Sequence, residues 1–259
     1  MKILTATAVA LLAGSLGACK GLGPPADPLF DPQSTADVRP LEPAEFDALL
    51  AAAHAFLAQH RDYAATLEAR ERIDNQLVAK LLDLKAEIDP FRVALAIQLP
   101  PRDAGRNVYF DESWNDGDMA VVVPGVVGSV LGRLNLNPKG SLAMKGQRHP
   151  VTDVGIPRLL EQIETRWSSV RSLGARVETG ETTFAERPAR VVGFVVPTDQ
   201  KDVEEFHRIG FDVEWGVPLY YALEQRVAGG ERELLEEYLY RSVRWDQGFT
   251  EADFRPPED

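Results

Sequence analysis

The stretch Tyr63-Ala64-Ala65-Thr66-Leu67-Glu68-Ala69-Arg70 decides the fold class. Tyr63, Ala65, Leu67 and Ala69 alternate with Thr66, Glu68 and Arg70, the period of two with which a strand buries one face and wets the other. Beyond the turn pair Asp74-Asn75, Leu82, Leu84, Ala86 and Ile88 alternate with Asp83, Lys85, Glu87 and Asp89, which predicts the second strand of a hairpin. At Pro90 the apolar parity flips to Phe91, Val93, Leu95, Ile97 and Leu99. A bulge or corner is expected there to keep one face inward, and Pro100-Pro101 ends the strand.

Further strands are expected downstream. Val108 to Glu112 and Met119 to Val123 flank Asn115-Asp116-Gly117 and read as another hairpin. Arg176 to Phe184 pairs with Ala189 to Val196, and Phe206 to Val213, Leu219 to Val227 and Glu233 to Arg244 follow, giving at least eight strands. Val126 to Leu142 is Gly-punctuated and less periodic.

Helical spacing occurs in two places. Phe46, Leu49, Leu50, Ala53 and Leu57 form one stripe through about His60, opened by Pro43 and Glu45. Leu159, Leu160, Ile163 and Trp167 form another from Ile156 to about Val170, with Thr152 or Asp153 expected to cap it and Pro157 in its first turn. Two apolar helix stripes and a set of half-buried antiparallel strands bury one another best as an α+β fold. One large curved sheet carries the helices across its concave side.

Composition sets the function classes. With 259 residues, 44% hydrophobic and 26% charged, the chain is neither disordered, collagen-like nor a multi-span membrane protein. Lys and Arg total 28 against 40 Asp and Glu, a net charge of −12, so no nucleic-acid partner is expected.

The first residues carry an address. Met1-Lys2 and the apolar run Ile3 to Leu16, about 14 residues against the ~20 that cross a bilayer, predict an export signal over residues 1–18. Leu16-Gly17-Ala18-Cys19 resembles the bacterial lipobox, in which cleavage precedes the cysteine and its thiol is acylated. Cys19 is the sole cysteine, so it makes no internal disulfide; the lipobox resemblance implies that it is the lipidation residue, with a membrane partner through the N-terminal lipid, and the competing reading is a small core cysteine at a signal boundary. Lys20 stands where inner-membrane lipoproteins commonly carry Asp, which favours the outer membrane with the protein facing the periplasm. Residues 19–43, rich in Pro and Gly, read as an extended tether, and 44–259 as a single domain.

Asn137-Pro138, Leu142-Ala143-Met144, Arg148-His149-Pro150-Val151-Thr152 and Gly155 resemble domain-of-unknown-function family 1571, a family of bacterial envelopes. The resemblance spans about Tyr63 to Phe254, with Asp89-Pro90-Phe91, Val217-Pro218-Leu219, Glu236-Glu237-Tyr238 and Asp253-Phe254 as lesser matches. Lys139-Gly140 and Asp246-Gln247-Gly248-Phe249 depart from its usual residues. That family in turn looks like the lipoprotein-carrier and lipoprotein-localisation fold. The resemblance therefore implies an unclosed β-barrel with helices as a lid over an apolar cavity.

A cavity of that kind holds acyl chains. Phe91, Val93, Leu95 and Ile97, with Tyr109 and Phe194 added, are the candidate wall for a hydrophobic small molecule or lipid; the competing reading is a packed core between sheet and helices. Arg148 and His149 are the candidate polar contacts: Arg148 suits an anionic headgroup, and His149 is placed to be a base oriented by Asp153. No nucleophile stands at a recognisable spacing, so the pair is read as hydrogen-bonding a buried loop and no catalytic residue is assigned. No metal or cofactor is expected, because His54, His60 and His207 fall in different elements. Arg102, Arg106, Lys139, Lys145, Arg148 and Arg158 read as a basic rim for headgroups or as scattered surface charge, and Glu231, Glu233, Glu236 and Glu237 as a solvated face or protected sheet edge rather than a cation site. The leading function is hydrophobic-ligand binding. The alternatives are an envelope module with a filled core that recruits a protein partner, and an envelope hydrolase using His149.

Overall fold

The computed structural model describes residues 29–30, 33–124, 132–197, 203–227 and 230–257. Along the chain run β1 (Ala36–Pro40), α1 (Pro43–Leu57), β2 (Asp62–Ile73), β3 (Gln76–Glu87), β4 (Arg92–Leu99), β5 (Asn107–Asp111), β6 (Met119–Val122) and β7 (Arg133–Leu136). Then come α2 (Ile156–Arg171), β8 (Val177–Phe184), β9 (Arg187–Pro197), β10 (Val203–Asp212), β11 (Pro218–Val227) and β12 (Glu233–Trp245). The export signal, Cys19 and the first part of the expected tether lie outside the described residues.

All twelve strands join one antiparallel sheet in the order β1-β8-β9-β10-β11-β12-β2-β3-β4-β5-β6-β7. Its ends, β1 and β7, do not pair with each other, so the barrel is unclosed. The alternation fixes its two faces. Tyr63, Ala65, Leu67 and Ala69 of β2 point inward beside Leu82, Leu84 and Ala86 of β3. The β2–β3 turn is tight, with Asp74 and Asn75 both at positive φ, 48° and 64°.

Four sequence expectations need correction. The parity flip at Pro90 is a chain reversal rather than a bulge within one strand. Glu87 pairs with Arg92 and Ala86 with Val93, so even positions of β3 and odd positions of β4 share the inner face. The tether does pack where it is described. Leu29 and Phe30 are buried on the outer face against Val191 and Phe206, and Ala36–Pro40 pairs with β8. Neither Thr152 nor Asp153 caps α2. Its N-terminal amides are met from the sheet, where Tyr63 Oη accepts from Ile156 N at 2.7 Å and Tyr240 Oη from Gly155 N at 3.1 Å. Gly155, at φ 117°, permits that approach, since a Cβ there would lie 2.9 Å from the Tyr63 hydroxyl. Finally, the expected solvated acidic face is interrupted, because β12 is internal to the sheet and Glu236 is buried on its inner side.

The two helices lie where the stripes require. Phe46, Leu50, Ala53 and Leu57 of α1 are buried, as are Leu159, Leu160, Ile163 and Trp167 of α2. Both stripes enter the inner core, and the Phe46 ring stands 5.0 Å from Trp167, 5.9 Å from Phe194 and 6.2 Å from Phe211. That half of the concave face is filled.

Candidate functional site

The other half is covered differently. Over β3 to β6 the inner positions Ile97, Val108 and Met119 face the largely irregular segment 138–154, with Pro138, Ala143, Val151 and Val154 among its residues, while Leu82 and Leu95 line the same cleft and also border Leu159 of α2. Irregular backbone packs less tightly than a helix stripe on a strand face, and a cleft of about 130 Å³ remains. It adjoins a second space of about 70 Å³ beneath the first turn of α2, with Lys80, Leu82, Leu95, Gln147, His149 and Val154 common to both.

The predicted wall residues separate into four groups. Leu95 and Ile97 line the cleft. Phe91 and Val93 are packed core, the Phe91 ring lying 5.9 Å from Phe110 with the Arg158 guanidinium 4.4 Å from its centroid. Phe194 is fully buried among Phe46, Trp167 and His207 in the helix-covered half. Tyr109 is on the wrong face for the cavity: it pairs with Ala94, whereas its neighbour Phe110 pairs with Val93 and points inward. Tyr109 instead lines an outer groove of about 530 Å³ floored by Ala64, Ala94 and Ala96 and crossed by Phe249.

Arg148 and His149 anchor the covering segment to the sheet. Arg148 Nε donates to Glu236 Oε2 at 2.8 Å, and His149 Nε2 lies 2.8 Å from the same oxygen. Glu71, equally buried, accepts from Tyr238 Oη at 2.9 Å, from Lys80 Nζ and from the Arg148 backbone amide at 3.4 Å. Two carboxylates on the apolar side of a sheet are tolerable only because each is paired and hydrogen-bonded. Burial opposes protonation of His149, but the Glu236 hydrogen bond and the Glu236, Glu71 and Asp153 carboxylates outweigh it, raising its pKa above the ordinary value. Burial likewise raises the pKa of Glu236, but His149 and Arg148 more than reverse this. Asp153 stands 3.9 Å from His149 Nδ1. Both ring nitrogens of His149 therefore face carboxylates, Nε2 toward Glu236 and Nδ1 toward Asp153, which suits an ion-pair partner.

The inward carboxylates were missed in the sequence, although parity contained them. Glu71 continues the odd, inward series of Tyr63, Ala65, Leu67 and Ala69, and Glu236 is its cross-strand partner. The remaining histidines are dispersed: His54 bonds Glu164, His60 bonds Asp246, and His207 is buried against Tyr221 and stacked on Phe194.

Residues 60–259 match the model of a family described as "Protein of unknown function (DUF1571)". The chain belongs to that family. No curated protein matches the sequence of this DUF1571 member. Among solved structures it is similar to Mycobacterium tuberculosis lipoprotein LppX, at 12% identity and a TM-score of 0.42 over 79% of this chain and 98% of that one. It is also similar to a LolA superfamily protein from Nitrosomonas europaea, at 10% identity and a TM-score of 0.37 over 81% and 97%. A DUF1329 family protein from Desulfovibrio piger gives 10% identity and 0.42 over 83% and 98%. At such identities and scores these likenesses assign no ligand or partner to the DUF1571 chain.

Proposed function

We propose that this protein is an exported envelope lipoprotein, acylated at Cys19 and held at the outer membrane facing the periplasm, that binds a hydrophobic ligand in the cleft beneath residues 138–154. The observation that carries the reading is the unequal covering of one apolar face. Leu82, Leu95, Ile97, Val108 and Met119 continue the core of the sheet, yet the cleft they line is closed by the segment 138–154 and not by a helix stripe packed onto the strands. A space of about 130 Å³ is below the ~300–1,000 Å³ of ordinary small-molecule sites, so a ligand of acyl-chain size enters as the segment moves outward. Membrane attachment rests on the N-terminal address, and no helix among the described residues is long and apolar enough to cross a membrane. The reading is of a binder, not an enzyme, because both ring nitrogens of His149 face carboxylates and neither faces a nucleophile among the described residues.

One observation favours a second reading. The space between α1 and the sheet, where a lipid-carrier cavity was expected, is filled by Phe46, Trp167, Phe194 and Phe211. An interaction module with a filled core, recruiting an envelope protein, would be built that way. Native mass spectrometry of residues 21–259, secreted to a bacterial periplasm and followed by organic extraction, separates the two. A stoichiometric lipid that is lost in Leu95→Trp supports ligand binding. A bare mass that gains nothing on incubation with envelope lipids transfers the assignment to the interaction module.

A further inference from the structure

Resting on the cleft reading above, we propose that the ligand is a single-chain anionic amphiphile, its chain against Leu95 and Ile97 and its headgroup held at the cleft mouth by Arg102, Arg106 and Lys145. The first argument is charge placement. The chain carries a net charge of −12, so an arbitrary patch of its surface is expected to be acidic. The cleft is the reverse: among its described lining residues, Asp103 is the only acid, against Lys80, Arg102, Arg106 and Lys145.

The pairing of those groups sharpens the point. Lys80 is committed to Glu71 inside the cleft. At the mouth, Asp103 is shared by Arg102 at 3.3 Å and Arg106 at 2.7 Å, so one carboxylate faces two guanidiniums. Lys145 has no carboxylate within ion-pair distance among the described residues. Three cations against one carboxylate, beside low-dielectric walls, focus a positive potential on the entrance. The Arg102 side chain is 70% exposed and that of Arg106 43%, so both remain free to turn to a carboxylate or phosphate, to which guanidinium offers a matching pair of donors.

The second argument is the shape behind the charges. Leu99, 42% exposed, continues the apolar wall of Leu95 and Ile97 out to the same mouth as Arg102 and Arg106. An apolar slot that opens onto cations matches a molecule with one chain and one negative head. The spaces of about 130 and 70 Å³ adjoin, with Leu82 and Leu95 lining both, and room this small suits one chain rather than two. A fatty acid and a lysophospholipid share this chemistry.

The test uses the full chain in nanodiscs of phosphatidylcholine, with photoactivatable dodecyl probes carrying a diazirine in the tail. The heads are a carboxylate, a phosphate ester, a methyl ester and a trimethylammonium group, and the labelled peptides are mapped by mass spectrometry. Labelling of residues 95–108 and 138–154 by the anionic probes is expected to exceed that by the methyl ester about tenfold, as three exposed charge contacts supply. In the triple variant Arg102→Gln, Arg106→Gln, Lys145→Gln this preference disappears while methyl-ester labelling persists. Lys145→Gln alone, at a side chain with no ion-pair partner, reduces the preference about twofold to threefold and serves if the triple variant does not fold. Preference for carboxylate indicates a fatty acid and preference for phosphate a lysophospholipid, and either supports the proposal. Equal labelling by all four heads overturns the anionic assignment and leaves the apolar cleft standing. Labelling of other segments only, by every probe, overturns the cleft reading and this proposal with it.

Discussion

The helix-covered and loop-covered halves of the concave face differ in what fills them, though one sheet with one alternation builds both. Over β8 to β11, Phe46 of α1 meets Phe194 and Phe211 of the sheet, Trp167 of α2 meets Phe46 and Phe194, and the rings stand at 5.0 to 6.2 Å. Over β3 to β6, aliphatic side chains face an irregular segment and a cleft remains. Secondary structure therefore does not by itself locate a binding site. The site is where the covering element lacks a periodic stripe to interlock with the strands.

The largest expected effect lies in the filled half. Trp167→Ala removes a side chain that is 3% exposed, in contact with Phe46 and Phe194 and donating through Nε1 to Asp47 at 2.9 Å. Burying an aromatic to that extent makes its truncation cost about 3–5 kcal/mol, read as a fall in the urea midpoint at unchanged slope. A loss below about 1 kcal/mol would mean that this half is not close-packed, and the contrast between the halves would collapse.

Enlarging a side chain gives the complementary comparison. Leu160→Phe, at a fully buried position of α2, overpacks and is expected to destabilise by about 1–3 kcal/mol. Ile97→Phe has the cleft to grow into and should cost less than about 1 kcal/mol while excluding any ligand. Equal penalties in thermal denaturation would show that no room exists under residues 138–154.

The two covers are also fastened differently. The start of α2 is held by hydroxyls from the sheet, so Tyr63→Phe leaves the Ile156 amide buried without its acceptor and is expected to cost about 1–2 kcal/mol. Hydrogen exchange at Ile156 should accelerate with it. Exchange within 138–154 should not, because that segment is fastened to Glu236 and Glu71 instead.

Much of this was legible in the sequence. Period two located β2, β3 and β4, the Asn115-Asp116-Gly117 turn and the regular spacing of strand-like runs located β5, β6 and β8 to β12, and helical spacing located α1 and α2. What failed has physical causes. β1 and β7 were missed because they are edge strands of only five and four residues, and β1 is exposed along its whole length. Leu29 and Phe30 lie in a Pro-rich context that resembles a linker, yet they dock where Gly193 removes a side chain from the outer face; a Cβ there would stand 2.9 Å from the Phe30 ring. At the site, Leu95 and Ile97 were readable from parity, and Tyr109 was misassigned by ignoring it. Which inward residues face a gap rather than a neighbour depends on the covering segment. That segment has no period to read.

The fastening of the loop-covered half carries the smallest expected effect and the one most specific to it. His149 in the folded state holds its proton more tightly than a free imidazole, through Glu236, Glu71 and Asp153. A group whose folded pKa is raised contributes stability fully below its unfolded value, ordinarily ~6.5, and loses it as pH rises through the folded value. Closure of 138–154 is therefore expected to weaken from about pH 6.5 upward, with hydrogen exchange in that segment rising faster than the intrinsic chemistry while exchange in α1 follows global stability. Arg148 keeps its charge and its bond to Glu236 throughout, so the segment loosens by tenths of a kcal/mol up to about 1 rather than detaching. His149→Gln should flatten the pH dependence, and the imidazole proton of the native chain should titrate above the ordinary histidine value by nuclear magnetic resonance. A midpoint below that value would show that burial, not Glu236, governs this histidine, and the two halves would then share one mode of closure.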